Sequence, residues 1–463
     1  VASVVKSLGG IGIIAIREDI KFEEAYWSQL PANFEFLRRL RPIAAKRIGG
    51  FANISNFPAG LANGSVWGPP VTIFHTAART PYFFNFHIGR NGHTAVIGPE
   101  GVGKTVLLNF LLSESQKFYP RLFFFDRNRG AEIFLRSIDA QYYFVDRRAA
   151  HVSTEQERPH FHHVPRMNPL QLENTPQNRS FLLQWLDALL RADKFYRPEM
   201  SDEFWPDFEH SLDYIYSLPA EQRHIGTLID YLRDASPKLA TKLYGWYKDG
   251  EFARWFDHAE DELDVSSFQK IGFEMGQLMK YERAAPAVVA YLLHRVVGEL
   301  NGDPAIIVLD EAWEMLNNPI FASRLGGWLE MVRSRNAIVI LATEKAEQAL
   351  ASPLSAAVMQ QVATQIYLPN AQANTAEYAR IFGLTPIETE YLGKMQRARR
   401  QFLLKRGQQS IVAELDLQKF RTQVALLSAK EPALNAMTKF ISEKGLAPKD
   451  WLFDFFAFVE KES

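Results

Sequence analysis

The octapeptide Gly98-Pro99-Glu100-Gly101-Val102-Gly103-Lys104-Thr105 has the form G-x-x-x-x-G-K-[ST] and constrains this chain more than any other feature. A short apolar run, Thr94–Gly98, precedes it. A segment with apolar residues at Val106, Leu107, Phe110, Leu111 and Phe118 follows at helical spacing. Strand, loop and helix in that order make a phosphate-binding P-loop (Walker A). The glycines let backbone N–H groups turn inward as an anion nest, and the helix N-terminus adds partial positive charge. Lys104 is expected to reach the β- and γ-phosphates of a nucleotide, and the Thr105 hydroxyl to ligate Mg²⁺. The cradle is read as Gly98, Pro99, Glu100, Gly101, Val102, Gly103, Lys104, Thr105 and the adjoining Val106. A purely structural glycine turn would need neither the Lys-Thr pair nor the flanking strand and helix.

Leu122–Phe125 and Gln141–Val145 read as buried strands on either side of a helix, Ala131–Ile138. This alternation implies an α/β fold, a parallel sheet with helices on both faces. From Leu170 to about Leu263 the alternation stops. Helical periodicity takes over, rich in aromatics such as Trp185, Phe204, Trp205, Phe208, Trp246 and Trp255. Asp193–Asp264 carries 17 acids and 8 bases, a net of −9, which disfavours DNA contact there. An all-helical insertion with aromatics packed between helices is expected. The α/β pattern resumes near Ala285 with a helix at Pro286–Leu300, strands at Ala305–Asp310, Ala337–Thr343 and Ala363–Leu368, and a helix at Phe321–Arg335. Residues 1–90 read as mixed β and loop, punctuated by Gly9, Gly10, Gly12, Gly49 and Gly50, with Pro31 limiting any helix.

Ala305-Ile306-Ile307-Val308-Leu309-Asp310-Glu311 has the Walker B pattern, an apolar strand delivering carboxylates to its C-terminal end. Asp310 is expected to hold Mg²⁺, and Glu311 to activate the attacking water as general base. Thr343 and Glu344 end the next strand, where a polar residue can sense the γ-phosphate. Phosphoryl transfer often uses an arginine finger, for which Arg333, Arg335, Arg399 and Arg400 are the candidates. His160, His162 and His163 lack an acidic or thiol partner at ligand spacing and read as a solvated loop.

Composition removes other classes. The 52 basic and 53 acidic residues leave a net charge of −1, so there is no chain-wide basic field. There are no cysteines, hence no disulfides, thiolate metal sites or cysteine nucleophiles. No apolar run reaches the ~20 residues of a membrane span, and no signal peptide is recognisable. The opening at Val1 reads like the middle of a protein, and a fragment of a longer polypeptide is expected.

Beyond the two Walker motifs, the chain resembles the VirB-type ATPases of type IV secretion systems (the fourth VirB component) and their conjugative-transfer relatives. The residues that carry the resemblance run in order from about 10 to 417. They are Tyr26-Trp27-Ser28-Gln29-Leu30-Pro31, Gly92-His93-Thr94, Phe125-Asp126-Arg127, Asn168-Pro169-Leu170, Asp310-Glu311-Ala312-Trp313, Arg333-Ser334-Arg335-Asn336, Leu368-Pro369-Asn370, Phe382-Gly383-Leu384-Thr385 and Arg400-Gln401-Phe402. The family usually has Gln after the Ala-Thr pair, where this chain has Glu344. A carboxylate there would repel a γ-phosphate unless protonated or turned away.

The resemblance implies a RecA-like P-loop motor of the FtsK/HerA superfamily with an all-helical insertion and a small mixed N-terminal segment. It implies the division 1–90 (β-rich linking region), 91–170 (motor, first part), 171–264 (all-α insertion), 265–425 (motor, second part) and 426–463 (helical tail). It implies ATP and Mg²⁺ as ligands, a ring, commonly of six copies, at the cytoplasmic face of a bacterial inner membrane, and partners among the secretion components. Catalytic duty falls on Lys104 and Glu311. Gln361 matches a motif lining the nucleotide interface. Arg400 is the first choice for a finger reaching a neighbour's site, Arg333 or Arg335 the second. Two other functions remain. A DNA translocase of the same superfamily is favoured mildly by the basic stretch Tyr391–Val412. A nucleotide-binding scaffold with little turnover is disfavoured by the intact Glu311.

Overall fold

In a computed structural model of the chain, the structure describes residues 2–9, 14, 15, 17, 19–30, 32–37, 58–145, 165–316, 325–344, 346–352, 355–395 and 400–462. They divide into two compact units, Val1–Phe57 and Pro58–Ser463. In the first unit the described secondary structure is helical, Ala2–Gly9 and Phe22–Trp27 with a 3₁₀ turn at Phe34–Phe36. The expected β character is thus absent from the described residues there. Gly10, Gly12, Pro31, Gly49 and Gly50 lie outside them.

The second unit is built on one sheet of eleven strands. In chain order these are β1 (Thr72–Thr76), β2 (Pro81–Phe84), β3 (Thr94–Ile97), β4 (Arg121–Asp126), β5 (Gln141–Phe144), β6 (Lys270–Glu274), β7 (Ala305–Leu309), β8 (Ala337–Thr343), β9 (Thr364–Tyr367), β10 (Gln401–Arg406) and β11 (Gln409–Glu414). Their spatial order is β2-β1-β11-β10-β9-β3-β8-β7-β4-β6-β5. The seven strands from β9 to β5 are parallel, and the four at the other side are antiparallel.

Parallel strands covered on both faces must be apolar throughout, and β7 (Ala-Ile-Ile-Val-Leu) and β8 (Ala-Ile-Val-Ile-Leu-Ala-Thr) are buried at every position. Side chains alternate between two cores. Phe123 and Phe125 of β4 join Trp185, Leu186 and Leu189 of helix Pro176–Arg191. Leu122 and Phe124 join Leu107, Leu108, Leu111 and Leu112 of the P-loop helix, Lys104–Ser115.

Between β5 and β6 the described chain is helical, with Pro176–Arg191, Glu199–Ser217, Ile225–Ala235 and Pro237–Leu243 as its longest helices. The Thr175 hydroxyl caps the first of these, with Pro176 in its first turn. Trp185 and Trp246 are buried against the ring of Phe256, and Trp255 against Phe252 and Tyr281, so these aromatics serve packing as expected. Phe195 and Tyr244 instead are exposed.

Three features depart from the sequence reading. Strands β1 and β2, assigned to the N-terminal segment by a boundary at residue 90, are hydrogen-bonded into the motor's sheet through β11. Strand β6 is too short and too glycine-interrupted to show periodicity. The basic stretch Tyr391–Val412 contains a hairpin, β10 and β11, whose cations are committed internally. Lys405 pairs with Glu388 at 2.8 Å and Arg406 donates to the His87 carbonyl. That commits two of the six bases of this stretch to contacts within the chain.

At the C-terminus, Arg421–Leu427, Glu431–Lys444 and Pro448–Glu462 form a helical module. Its core is Leu434, Met437, Ile441, Trp451 and Phe455 closed over Ile133. Among the described residues no helix is long and apolar enough to cross a membrane.

Gly272 in β6 tests the sheet order directly. A Cβ there would stand 2.4 Å from Tyr142 Cδ2 on β5 and 2.8 Å from Leu135 Cδ1. Gly272→Ala should therefore cost ~1–3 kcal/mol through overpacking, read as a lower urea midpoint. An unchanged midpoint would contradict the β5–β6 pairing.

Candidate active site

The P-loop leaves β3 and enters helix Lys104–Ser115 through Gly103, whose φ of +100° is a conformation that side-chain-bearing residues rarely adopt. The first helical residue, Lys104, is only 4% exposed. Its Nζ lies 2.7 Å from Asp310 Oδ1, 3.1 Å from Glu311 Oε1 and 3.7 Å from Glu344 Oε1. Burial disfavours the ammonium charge, but Asp310, Glu311 and Glu344 together outweigh it and raise the Lys104 pKa above its ordinary value.

Parallel pairing puts these groups together. Val96 and Ile97 of β3 stand opposite Ala342 and Thr343 of β8, and Val308 and Leu309 of β7 opposite Ile340 and Leu341. Three strands therefore end at one edge, which is where ligands of α/β sheets bind. Glu311 leaves β7 with φ +54°, a strained conformation for a residue other than glycine. Its carboxylate is held from three sides. Thr343 Oγ1 donates to Oε2 at 3.1 Å, while the Glu344 backbone N–H (2.8 Å) and Lys104 donate to Oε1. Trp313, fully buried, donates through Nε1 to Ser355 Oγ and fixes the helix Ala312–Leu316 that follows.

Below Thr105 lies a buried acidic network. A Cβ on Gly130 would sit 3.4 Å from Thr105 Cγ2 and 3.6 Å from Asp126 Oδ1. Asp126, at the end of β4, accepts from the N–H groups of Gly130 and Ala131 (both 2.9 Å) and from Tyr142 OH (2.8 Å). Burial, reinforced by Asp310, pushes its pKa to about 7 against the hydrogen bonds. Burial likewise raises Glu274 to about 8, opposed by the Gly276 N–H and assisted by Asp126. Glu132 is equally buried, yet Arg136 and Arg129 hold it below the usual range.

Thr105 Oγ1 and the Asp310 carboxylate are hard oxygen donors of the kind Mg²⁺ takes together with phosphate and water. They fit the ion and would hold it; such an ion neutralises phosphate charge during transfer.

The other expected site residues separate. Arg400, expected to reach a neighbour, lines the cleft of its own P-loop. Its Nη1 comes within 3.9 Å of where a Cβ would sit on Gly103. Antiparallel register is the reason: Leu403 pairs with Tyr367, so β10 starts beside the C-terminal end of β9. Arg333 and Gln361 sit at the opposite edge of the sheet, before β8 and β9 begin. Gln361 offers its carbonyl to Asn91 Nδ2 at 2.7 Å. Arg333 lines a cleft of about 870 Å³ with Arg90, Asn91 and Asn336. Arg335 is committed elsewhere, donating to the carbonyls of Val297 (2.9 Å) and Leu300 (3.4 Å). Arg399, His160, His162 and His163 lie outside the described residues.

Sequence reasoning missed two positioning residues. His93 accepts at Nδ1 from the Val339 N–H (3.0 Å) and makes a 2.9 Å bond from Nε2 to the Leu329 carbonyl, joining β3 to β8. Burial, with Arg333 nearby, lowers its pKa to about 4 and keeps it neutral. Asn109, on the P-loop helix, donates to the carbonyls of Gly130 (3.2 Å) and Leu427 (3.0 Å). A polar residue among the apolar positions of that helix was the available signal.

A P-loop after β3 and a Walker B carboxylate pair after β7, with the polar end of β8 between them, make a RecA-like P-loop fold. The fold matches a solved VirB4 of Thermoanaerobacter pseudethanolicus, with TM-score 0.62 and 15% identity over 77% of this chain and 98% of that one. It also matches the plasmid coupling protein TrwB in complex with ADP and Mg²⁺, with TM-score 0.51 and 9% identity over 81% and 93%. At such identities the likeness is one of fold. Residues 1–39 match the model of the CagE, TrbE, VirB family, component of type IV transporter system. The type IV secretion system protein virB4 of Bartonella henselae is 34% identical over 445 residues, 95% of this chain and 54% of that protein. The chain belongs to this VirB4-type family, and it spans about half the length of the curated relatives it matches.

Glu274 supplies a pH test of the buried network. Its folded pKa of about 8 lies above the ordinary 4.5. Between those values the folded chain keeps a proton that the unfolded chain has released, so this group's contribution to stability falls as pH rises. Glu274→Gln removes the dependence. The melting temperature of the variant relative to the parent should climb between about pH 5 and about pH 8 in calorimetry. A constant difference would rule out the buried proton.

Proposed function

We propose that the chain is an ATP-hydrolysing motor of a type IV secretion machine, driving pilus assembly or cargo transfer as an oligomeric ring, with six copies as the expected number. The observation that carries the reading is Lys104 held among Asp310, Glu311 and Glu344 at the end of three parallel strands. Incoming phosphates attract Lys104 away from the carboxylates. That frees Asp310, which with Thr105 would hold Mg²⁺. Glu311, oriented by Thr343 and the Glu344 N–H, accepts the proton of the attacking water. Its fixed geometry favours turnover over a passive scaffold. The acidic insertion and the internally paired hairpin favour a protein machine over a DNA track. VirB4-type membership supports peripheral attachment at the cytoplasmic face of the bacterial inner membrane, beside other secretion components.

Arg333, half-buried at the far edge with Glu330 3.8 Å away, suits a finger offered to the next copy, whereas Arg400 steadies phosphate in its own site. Two experiments test this. Glu311→Gln should bind ATP and release almost no phosphate; unchanged turnover would remove the general-base role. Arg333→Ala should lower turnover roughly a thousandfold. Mixing it with the equally inactive Lys104→Ala should restore activity, because some interfaces then pair an intact site with an intact finger. A mixture no more active than its parts would sink the trans assignment.

A further inference from the structure

The P-loop occupies one end of a cleft of about 510 Å³, and a triphosphate accounts for only that end. The rest of the cleft is walled by the segment that follows β11. Leu415, Leu417 and Val424 are half-buried there, and Arg421 stands exposed at the rim. The wall begins beside Arg400, whose carbonyl accepts from the Leu415 N–H at 3.2 Å. It turns through Phe420 N–H to Leu417 carbonyl (3.0 Å) and enters helix Arg421–Leu427. That helix packs on the P-loop helix. The link is specific: Asn109, itself fully buried, donates to the Leu427 carbonyl at 3.0 Å. Phosphate loop and wall are therefore braced on one helix.

A nucleoside has flat apolar faces with polar edges, and pockets that take such groups are mostly apolar with a few polar residues. We infer that the Leu415–Val424 segment receives the base and ribose of the bound nucleotide, with Leu417 against the base and Arg421 at the outer rim. The C-terminal module is then part of the nucleotide site. This inference rests on the nucleotide reading of the same P-loop.

Calorimetric titration of the full chain with ADP and, separately, with inorganic tripolyphosphate tests it. Leu417→Ala and Arg421→Ala should each weaken ADP binding roughly tenfold and leave tripolyphosphate affinity within about twofold. Arg421 is exposed, so its truncation opens no cavity in the core. Lys104→Ala should weaken both ligands. Equal loss of both ligands in the wall variants would overturn the inference. So would ADP binding as tight as, or tighter than, the parent's, since the segment would then cover the site without holding the base. If Lys104→Ala binds both ligands like the parent, the P-loop reading itself falls.

Discussion

Three carboxylates converge on one buried ammonium, and the site depends on that imbalance. Lys104 lies within 4 Å of Asp310, Glu311 and Glu344. Removing this much charge from water is costly unless the groups pair, and one lysine cannot pair fully with three acids. The excess is visible in Glu344, whose carboxyl pKa is raised by burial and by Glu311, Asp310 and Glu100 against the pull of Lys104. The resemblance leads one to expect a neutral amide there. A carboxyl inclined to keep its proton approaches the same chemistry, which gives the Gln-to-Glu departure a physical rationale.

The parallel sheet sets the two edges that the chemistry uses. β3 spans four residues, so its ends lie about 10 Å apart. Walker residues gather at its C-terminal end. Arg333, Asn91 and Gln361 gather at the other, around a neutral His93 that joins β3 to β8 and to the backbone of the helix carrying Arg333. A side chain at one edge of this sheet does not reach the nucleotide at the other. In the proposed ring, the half-buried Arg333 at one edge would meet the nucleotide site at the other edge of the next copy.

What the sequence made legible was chemistry held in short, contiguous segments. The P-loop, β7 with Asp310 and Glu311, and β8 ending in Thr343 are local runs whose apolar pattern and terminal residues state their role. β6 was not legible, because five residues interrupted by Gly272 carry no period. Arg400 was recognisable as a site residue, but its place in the cleft of its own P-loop was not. That placement comes from the antiparallel register of β10 on β9, a pairing between segments some forty residues apart in the chain. The Leu415–Val424 wall was hidden for the same reason, since its position depends on a hydrogen bond from Asn109 to Leu427, 318 residues further along the chain.

The same long-range contacts connect the nucleotide site to the end of the chain. Asp126 closes the loop beneath Thr105 through Gly130 and Ala131, and Tyr142 ties it to β5. The helix that follows, Glu132–Ser137, places Glu132 between Arg129 and Arg136 and Ile133 into the core of the C-terminal module. Asn109 bonds to both that loop and the module. Buried ion pairs and hydrogen-bonded loops tolerate few arrangements, because a partner lost inside the protein leaves an uncompensated charge. A shift of the P-loop helix on filling the site must therefore be shared by the 126–131 loop and helix Arg421–Leu427, which makes the C-terminal module the element best joined to nucleotide occupancy.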